Sequence, residues 1–194
     1  MRKGQLRRHT KETRVNAKVT IDGHGRASIS TGVGFFDHML ELFAKHGLFD
    51  ITVKCSGDLQ VDDHHTVEDV GIALAGAFKK ALGKKTGISR FGHSYVPMDE
   101  SLARSVVDLS GRSSLIFNAT FRRAKVGELS TEMIHHFFRS FADTLKANIH
   151  IEVLYGTNTH HKIEAIFKSF ALAMREACAT NKRVTGIPST KGIL

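Results

Sequence analysis

Apolar residues recur at helical spacing in four stretches of the chain. Positions i, i+3, i+4 and i+7 fall on one face of a helix, so each stretch predicts an amphipathic helix with one buried side. The four apolar stripes are Phe36, Met39, Leu40 and Phe43; Val67, Val70, Leu74, Phe78 and Ala81; Ile134, Phe137, Phe138, Phe141 and Leu145; and Ile163, Ile166, Phe167, Phe170, Met174 and Ala177.

Alternating apolar and polar residues predict strands around these helices. After the first helix the alternation involves Ile51, Val53 and Cys55, and after the third it involves Ile149, Ile151 and Val153. Further strand candidates cover residues 14–21, 26–30, 91–97, 102–109 and 114–120. Each half of the chain therefore has the order strands, helix, strand, helix.

This order repeats, and the repeat defines the expected architecture. We interpret residues 1–194 as a single domain built from two half-domain repeats, 1–90 and 91–194, joined near residues 89–92. The predicted fold class is α+β: an internally duplicated two-layer α/β arrangement in which each half is a β-sheet with helices on one face.

Composition narrows the function classes only slightly. The formal net charge is +9, yet the Lys and Arg residues are scattered, so we expect solvated faces and a loose basic N-terminus rather than a nucleic-acid footprint. Trp is absent and Tyr occurs twice, which leaves few platforms for stacking bases. No apolar run approaches the roughly 18 residues of a membrane span. Neither nucleic acid nor membrane is an expected partner.

The two cysteines, Cys55 and Cys178, have no nearby partner that would form a Cys-x-x-Cys pair. We expect free thiols in a reducing compartment, with the cytoplasm as the default location.

The histidines are the residues most indicative of function. The chain has 12 His residues, and the motif His-His-x-x-Glu occurs at His64-His65-x-x-Glu68 and again at His160-His161-x-x-Glu164. On a helix, residues i and i+4 lie about 40° apart and residues i and i+1 about 100° apart. The first His and the Glu of each motif therefore share a face, while the second His points elsewhere.

Each motif is preceded by a His on the earlier helix, His38 in one half and His136 in the other. A single His on a helix is usually solvated, but two copies in matching places of a repeat favour metal binding. Six His and two Glu supply three His and one carboxylate to each of two metals, which suits Zn, Fe, Ni or Mn and leaves coordination positions open for catalysis.

Three segments are candidates for binding an anionic group. Arg90 lies at the junction of the halves, Arg112 follows a Ser-Gly turn, and Gly186-Ile-Pro-Ser-Thr-Lys-Gly192 combines hydroxyls, backbone amides and a Lys. Each signal is weak alone, because loop Arg and tail Lys residues are usually solvated. Nucleotide-binding glycine motifs are absent.

Together these residues resemble one enzyme family. Residues 35–40 (FFDHML), residues 62–69 (DDHHTVED), the second His-His-x-x-Glu motif and residues 188–192 (PSTKG) are similar to the corresponding segments of imidazoleglycerol-phosphate dehydratases, and the resemblance covers essentially the whole chain. One departure is His135, where relatives usually carry Glu beside the ligand His.

The resemblance implies a fold and an assembly. The family fold is a duplicated half-domain related to the second domain of ribosomal protein S5. Trimers assemble into a 24-subunit homo-oligomer when Mn²⁺ binds, and the active site, with two Mn²⁺, forms between subunits. The resemblance places one metal on His38, His64, Glu68 and His161, and the other on His65, His136, His160 and Glu164.

The resemblance also implies the substrate-side residues and the reaction. Substrate binding is assigned to Glu12, Arg90, Arg112, Lys168, Ser189, Thr190 and Lys191, and the catalytic carboxylates to Glu12, Glu68 and Glu164. The reaction is dehydration of D-erythro-imidazoleglycerol phosphate to imidazole acetol phosphate in histidine biosynthesis. We expect a dimetal-bound imidazolate and then a diazafulvene as intermediates, with Glu12 as the base.

Two rival hypotheses make different predictions. A non-catalytic metal-binding assembly, for storage or sensing, would take up metal without turnover. An RNA-binding module would show a steep dependence of affinity on salt.

Overall fold

The computed structural model describes residues 1–194, which form two sheets and four long helices. The first half contains β1 (Lys3–His9), β2 (Thr13–Thr20), β3 (Ala27–Ser30), α1 (Gly34–Gly47), β4 (Asp50–Gly57) and α2 (His64–Leu82). The second half contains β5 (Phe91–Met98), β6 (Ser101–Asp108), β7 (Ser114–Asn118), β8 (Lys125–Val126), β9 (Leu129–Ser130), α3 (Glu132–Leu145), β10 (Asn148–Tyr155) and α4 (Thr159–Cys178).

The two sheets have the same topology. The first has the order β1-β2-β4-β3 and the second the order β5-β6-β10-β7. In each sheet the first three strands form two antiparallel pairs, and the last pair of strands is parallel. The only addition is the short β8–β9 hairpin, which comes before α3. The predicted α+β class with an internal duplication is therefore confirmed.

Small details repeat as well. Gly4 on β1 and Gly92 on β5 each lie so close to a helix that a Cβ atom would collide with a backbone carbonyl, that of Ala77 on α2 or Ala173 on α4. A side chain at either position would push the helix off its sheet. These two glycines therefore set how closely the motif-bearing helices approach the two sheets.

One apolar core joins the two halves. α1 packs on α4 and α2 packs on α3, so helices of one half face helices of the other. Phe43 of α1 stacks on Phe170 of α4 with ring centroids 5.2 Å apart, and Phe36 meets Phe137 edge-on at 5.5 Å. The predicted apolar stripes lie in this core. This cross-packing decides which histidines meet.

The expectation of a loose basic N-terminus is wrong. Residues 3–9 form β1, an edge strand paired along its length with β2. Its neighbouring basic side chains have partners: Arg2 pairs with Asp22 and also donates to the Cys178 carbonyl at 2.6 Å, and Arg8 pairs with Asp69 at 2.6 Å. The charged side chains of Lys3, Arg7 and Arg8 concealed this strand, because they interrupt the apolar alternation while the backbone still pairs with β2.

Candidate metal centres

Both His-His-x-x-Glu motifs lie in the first turn of a long helix. α2 starts at His64, whose backbone N–H donates to Asp62 at 2.8 Å; near the start of α4, the N–H of His160 donates to Asn158 at 2.9 Å. The side-chain oxygens of Asp62 and Asn158 accept from backbone N–H groups that have no acceptor within the helix. These hydrogen bonds therefore fix where each helix begins. The motifs are thereby held at helical geometry from their first residue.

The first cluster combines α1 with α4, and we call it the α4 cluster: His38, His160 and Glu164. Their ligand atoms lie within 4.8 Å of one another. Glu164 Oε1 lies 3.0 Å from His160 Nε2 and 3.2 Å from His38 Nε2, while Lys168 Nζ donates to Oε2 at 2.6 Å. Burial raises the pKa of Glu164, but hydrogen bonds from Lys168 and the two histidines outweigh it and bring the pKa to about 2. The carboxylate is therefore ionised at neutral pH.

The second cluster combines α3 with α2, and we call it the α2 cluster: His64, Glu68 and His136. Its ligand atoms also lie within 4.8 Å of one another. His136 Nε2 is 3.4 Å from Glu68 Oε1, and the rings of His64 and His136 are 4.4 Å apart between centroids. The buried Nε2 of His136 has no hydrogen-bond partner. A buried polar atom without a partner is costly unless something else binds it.

These groupings correct one expectation. The resemblance placed His38 with His64 and Glu68, and His136 with His160 and Glu164. Within the chain the two helix histidines are exchanged: His38 joins the second motif and His136 joins the first. The physical reason is the packing of α1 on α4 and of α2 on α3, which brings each His to the motif of the opposite half.

The second histidine of each motif points away from its cluster, as the helical geometry predicted. His65 donates from Nδ1 to Asp58 at 3.0 Å, and His161 donates from Nδ1 to Glu100 at 2.7 Å. The hydrogen bond to its carboxylate raises the pKa of each histidine. Neither histidine belongs to a three-ligand cluster within the chain.

Glu12 lies in the β1–β2 turn with Oε1 3.7 Å from His65 Nε2. Asp99, in the β5–β6 turn, lies at the same distance, 3.7 Å, from His161 Nε2.

The turn carrying Glu12 is anchored because the buried Asp69 of α2 accepts hydrogen bonds from both Arg8 and Thr13. Asp58, Asp99 and Glu100 were not predicted from the sequence. Asp58 lies seven residues before His65, but Glu100 lies 61 residues before His161, so no shared spacing links these acids to the motifs.

The phosphate candidates gather at the other end of the helices. Arg90 donates to Asp108 at 2.7 Å and to the Pro188 carbonyl at 2.9 Å, which ties the C-terminal segment to β6.

The Gly111 backbone, beside Arg112, lies against Leu194. In the C-terminal segment, the Lys191 amide donates to Ser189 Oγ at 3.2 Å, and Thr190 is exposed. Lys168 does not join this group, because it binds Glu164 in the α4 cluster.

A single chain keeps this group far from the metal clusters. The Arg90 amide donates to the carbonyl of Ala177, near the end of α4, whereas Glu164 lies in its first turns. At 1.5 Å per residue, that separation is about 20 Å along the helix. No small metabolite spans it.

Comparison with known proteins settles the family. The family model for imidazoleglycerol-phosphate dehydratase matches residues 31–174. The chain belongs to the imidazoleglycerol-phosphate dehydratase family. It is 55% identical to the dehydratase of Koribacter versatilis (strain Ellin345) over 195 residues, covering 100% of both chains. It is also 55% identical to that of Chlorobium chlorochromatii (strain CaD3), covering 100% of this chain and 97% of the relative.

Solved structures of dehydratases of this family have the same fold. That from Staphylococcus aureus subsp. aureus N315 is 39% identical with a TM-score of 0.84 and covers 92% of this chain and 99% of its own. That from Pyrococcus furiosus, in complex with (S)-C348, is 34% identical with a TM-score of 0.84 and covers 97% and 100%. Membership makes the chain a hydro-lyase of histidine biosynthesis. None of its helices is long and apolar enough to cross a membrane.

Proposed function

We propose that the chain dehydrates D-erythro-imidazoleglycerol phosphate to imidazole acetol phosphate using two Mn²⁺ ions per active site, in the cytoplasm. The observation that carries this proposal is the pair of His-His-Glu clusters, each with its ligand atoms within 4.8 Å of one another. Imidazole and carboxylate donors suit Mn²⁺, and three protein ligands leave positions for more.

The residues of the clusters fit a divalent cation. The buried Nε2 of His136 lies 3.4 Å from Glu68 Oε1 and has no hydrogen-bond partner, so His136 and Glu68 would be available to hold a divalent cation. Glu164 is ionised and lies beside two imidazoles, which is the charge state a cation needs. A bound cation would supply Lewis acidity toward the imidazole nitrogens and a hydroxyl of the substrate.

We propose that each cluster is completed by another copy of the chain. His65 and His161 belong to neither cluster of their own chain, and each Nε2 lies 3.7 Å from an exposed carboxylate, that of Glu12 or Asp99. In the resemblance His65 serves the metal of Glu164 and His161 serves that of Glu68. The distance of about 20 Å between Glu164 and the Arg90 end of α4 also requires a second chain to bring phosphate ligands to the metals. A homo-oligomer would meet both requirements, and from the family resemblance we propose a 24-subunit assembly built from trimers.

Other residues of the chain are proposed to bind the phosphate and to remove the proton. Arg112, Ser189, Thr190 and Lys191 bind the phosphate and fix the reacting carbons, while Arg90 holds the segment that carries the last three. Glu12, exposed beside His65, takes the proton from the carbon chain as general base. Its Asp69-anchored turn holds the carboxylate in place.

Glu12→Gln is expected to lower kcat by roughly 10²- to 10⁴-fold, because the amide cannot accept the proton. Mn²⁺ content should stay at the wild-type value, since Glu12 is in neither cluster. Steady-state turnover and elemental analysis of the same preparation measure both. Lys11→Ala, in the same turn, is the control, and wild-type kcat in Glu12→Gln would remove Glu12 from the role of base.

Arg112→Ala is expected to raise KM for the phosphorylated substrate by about tenfold or more, because a charge-assisted hydrogen bond to phosphate is lost. Metal content should be unchanged, since Arg112 lies at the far end from both clusters. Arg122→Ala, another exposed arginine, is the matched control. Loss of metal in Arg112→Ala would assign Arg112 a structural role instead.

The proposed function is tested by turnover of imidazoleglycerol phosphate after chelation and again after adding Mn²⁺. We expect formation of imidazole acetol phosphate to stop with the chelator and to return with the ion. Uptake of Mn²⁺ without turnover would favour a storage or sensing assembly.

A further inference from the structure

The second histidine of each motif bonds through Nδ1 to a carboxylate, a contact that none of the four cluster histidines makes at Nδ1. Asp58 places its two carboxylate oxygens 3.0 Å and 3.2 Å from His65 Nδ1, and Glu100 places Oε2 2.7 Å from His161 Nδ1. Asp58 comes from the loop after β4 and Glu100 from the β5–β6 turn. Two different parts of the fold thus deliver a carboxylate to the same ring atom of equivalent histidines.

The hydrogen bond dictates the tautomer. An ionised carboxylate only accepts, so Nδ1 must carry the hydrogen, and in the neutral ring the lone pair is then on Nε2. A ring held in this way offers Nε2 as a metal ligand in a fixed direction. For both His65 and His161 that direction is toward an exposed carboxylate 3.7 Å away, that of Glu12 or Asp99, and not toward a cluster of the same chain.

The cluster histidines are oriented by other means. His38 and His160 direct Nε2 at Glu164, within the pair of helices α1 and α4. His136 is held between α3 and α2, with its Nε2 buried. His65 and His161 have no such cluster carboxylate or opposing cluster histidine, so a carboxylate beyond the helix must hold each ring.

We propose that Asp58 and Glu100 are positioning residues that fix the rings of His65 and His161 so that Nε2 is presented to a metal held by another copy of the chain. The inference rests on the proposed function, because it needs a metal in each cluster. It goes further by assigning a role to two residues outside the ligand set and outside both motifs.

Asp58 offers the cleaner test of the two. Its carboxylate bonds only to the His65 ring, and its side chain is 17% exposed. Glu100 also uses Oε1 to accept from the amides of Thr157 and Asn158, so its removal would loosen the loop before α4 as well. The experiment therefore uses variants of Asp58.

Full-length wild type, Asp58→Asn, Asp58→Ala, His65→Ala and the double variant Asp58→Ala/His65→Ala are stripped of metal. Mn²⁺ binding is then titrated by calorimetry, and the mass of the assembly is followed by light scattering. We expect Asp58→Ala to weaken Mn²⁺ binding at one of the two sites by roughly 10- to 100-fold. Asp58→Asn keeps an acceptor oxygen and should lose less.

The double variant separates positioning from a structural role. If Asp58 acts through the His65 ring, Asp58→Ala should cost no further Mn²⁺ affinity once His65 is already Ala. The melting temperature of the metal-free Asp58→Ala protein should match that of Asp143→Ala, a control that removes an exposed carboxylate on α3.

Two results would overturn the inference: wild-type Mn²⁺ affinity in Asp58→Ala, or equal losses in the wild-type and His65→Ala backgrounds. Failure of the proposed function has a different signature, because wild type itself would then bind no Mn²⁺ or would not turn over the substrate.

Discussion

Glu164→Gln is expected to remove one of the two Mn²⁺ ions proposed for each chain and to lower turnover by roughly 10⁴-fold or more, since a metal that stabilises developing charge contributes several kcal/mol. The carboxylate lies at the centre of the α4 cluster, within 3.2 Å of both histidine Nε2 atoms. The amide is a poor metal ligand and would also leave the half-buried ammonium of Lys168 without its anionic partner.

Elemental analysis and turnover of the same preparation measure this effect. The matched control is Glu176→Gln, which makes the same chemical change on the exposed side of the same helix and should keep both ions. If Glu164→Gln still carried two Mn²⁺ per chain, the α4 cluster would not be a metal site.

Two inactive variants should restore activity when they assemble together. His65→Ala lacks the ligand that we propose comes from a second chain, and Glu164→Gln lacks the carboxylate of the α4 cluster. If both serve one metal but come from different chains, a mixed assembly contains sites in which one chain supplies Glu164 and its neighbour supplies His65. With equal amounts and random mixing, about one quarter of the sites are intact, so about one quarter of wild-type activity is expected.

The experiment requires co-expression with two different tags, so that mixed assemblies are isolated by sequential purification. The control pairs His65→Ala with the double variant His65→Ala/Glu164→Gln, a mixture in which no site has both ligands. Activity no higher than that of the separate variants would mean that both ligands come from one chain.

Much of the fold follows from local patterns. The stripe of Phe36, Met39, Leu40 and Phe43 predicted α1, and these residues are buried where the stripe requires. The i, i+4 spacing predicted that His160 and Glu164 would meet, and they are 3.0 Å apart. Such features depend on residues close in sequence, whose relative positions a helix fixes by itself.

The rest depends on contacts between distant segments. Sequence spacing could not decide whether His136 meets Glu68 or Glu164, because that choice is made by the packing of α3 on α2. The partners Asp58 and Glu100 come from outside the helices that carry the histidines, so no periodicity revealed them. β1 was missed because edge-strand pairing is a property of the backbone, which the charged side chains of residues 3–9 concealed.

The exchange of histidines between the halves has an evolutionary consequence. The first half alone offers His64 and Glu68 to one metal and only His38 to the other, and the second half is likewise incomplete. A three-ligand set exists only where two halves pack together. An ancestral chain of half this length would therefore have held its metals only as a dimer, and gene duplication with fusion would have made that pairing permanent.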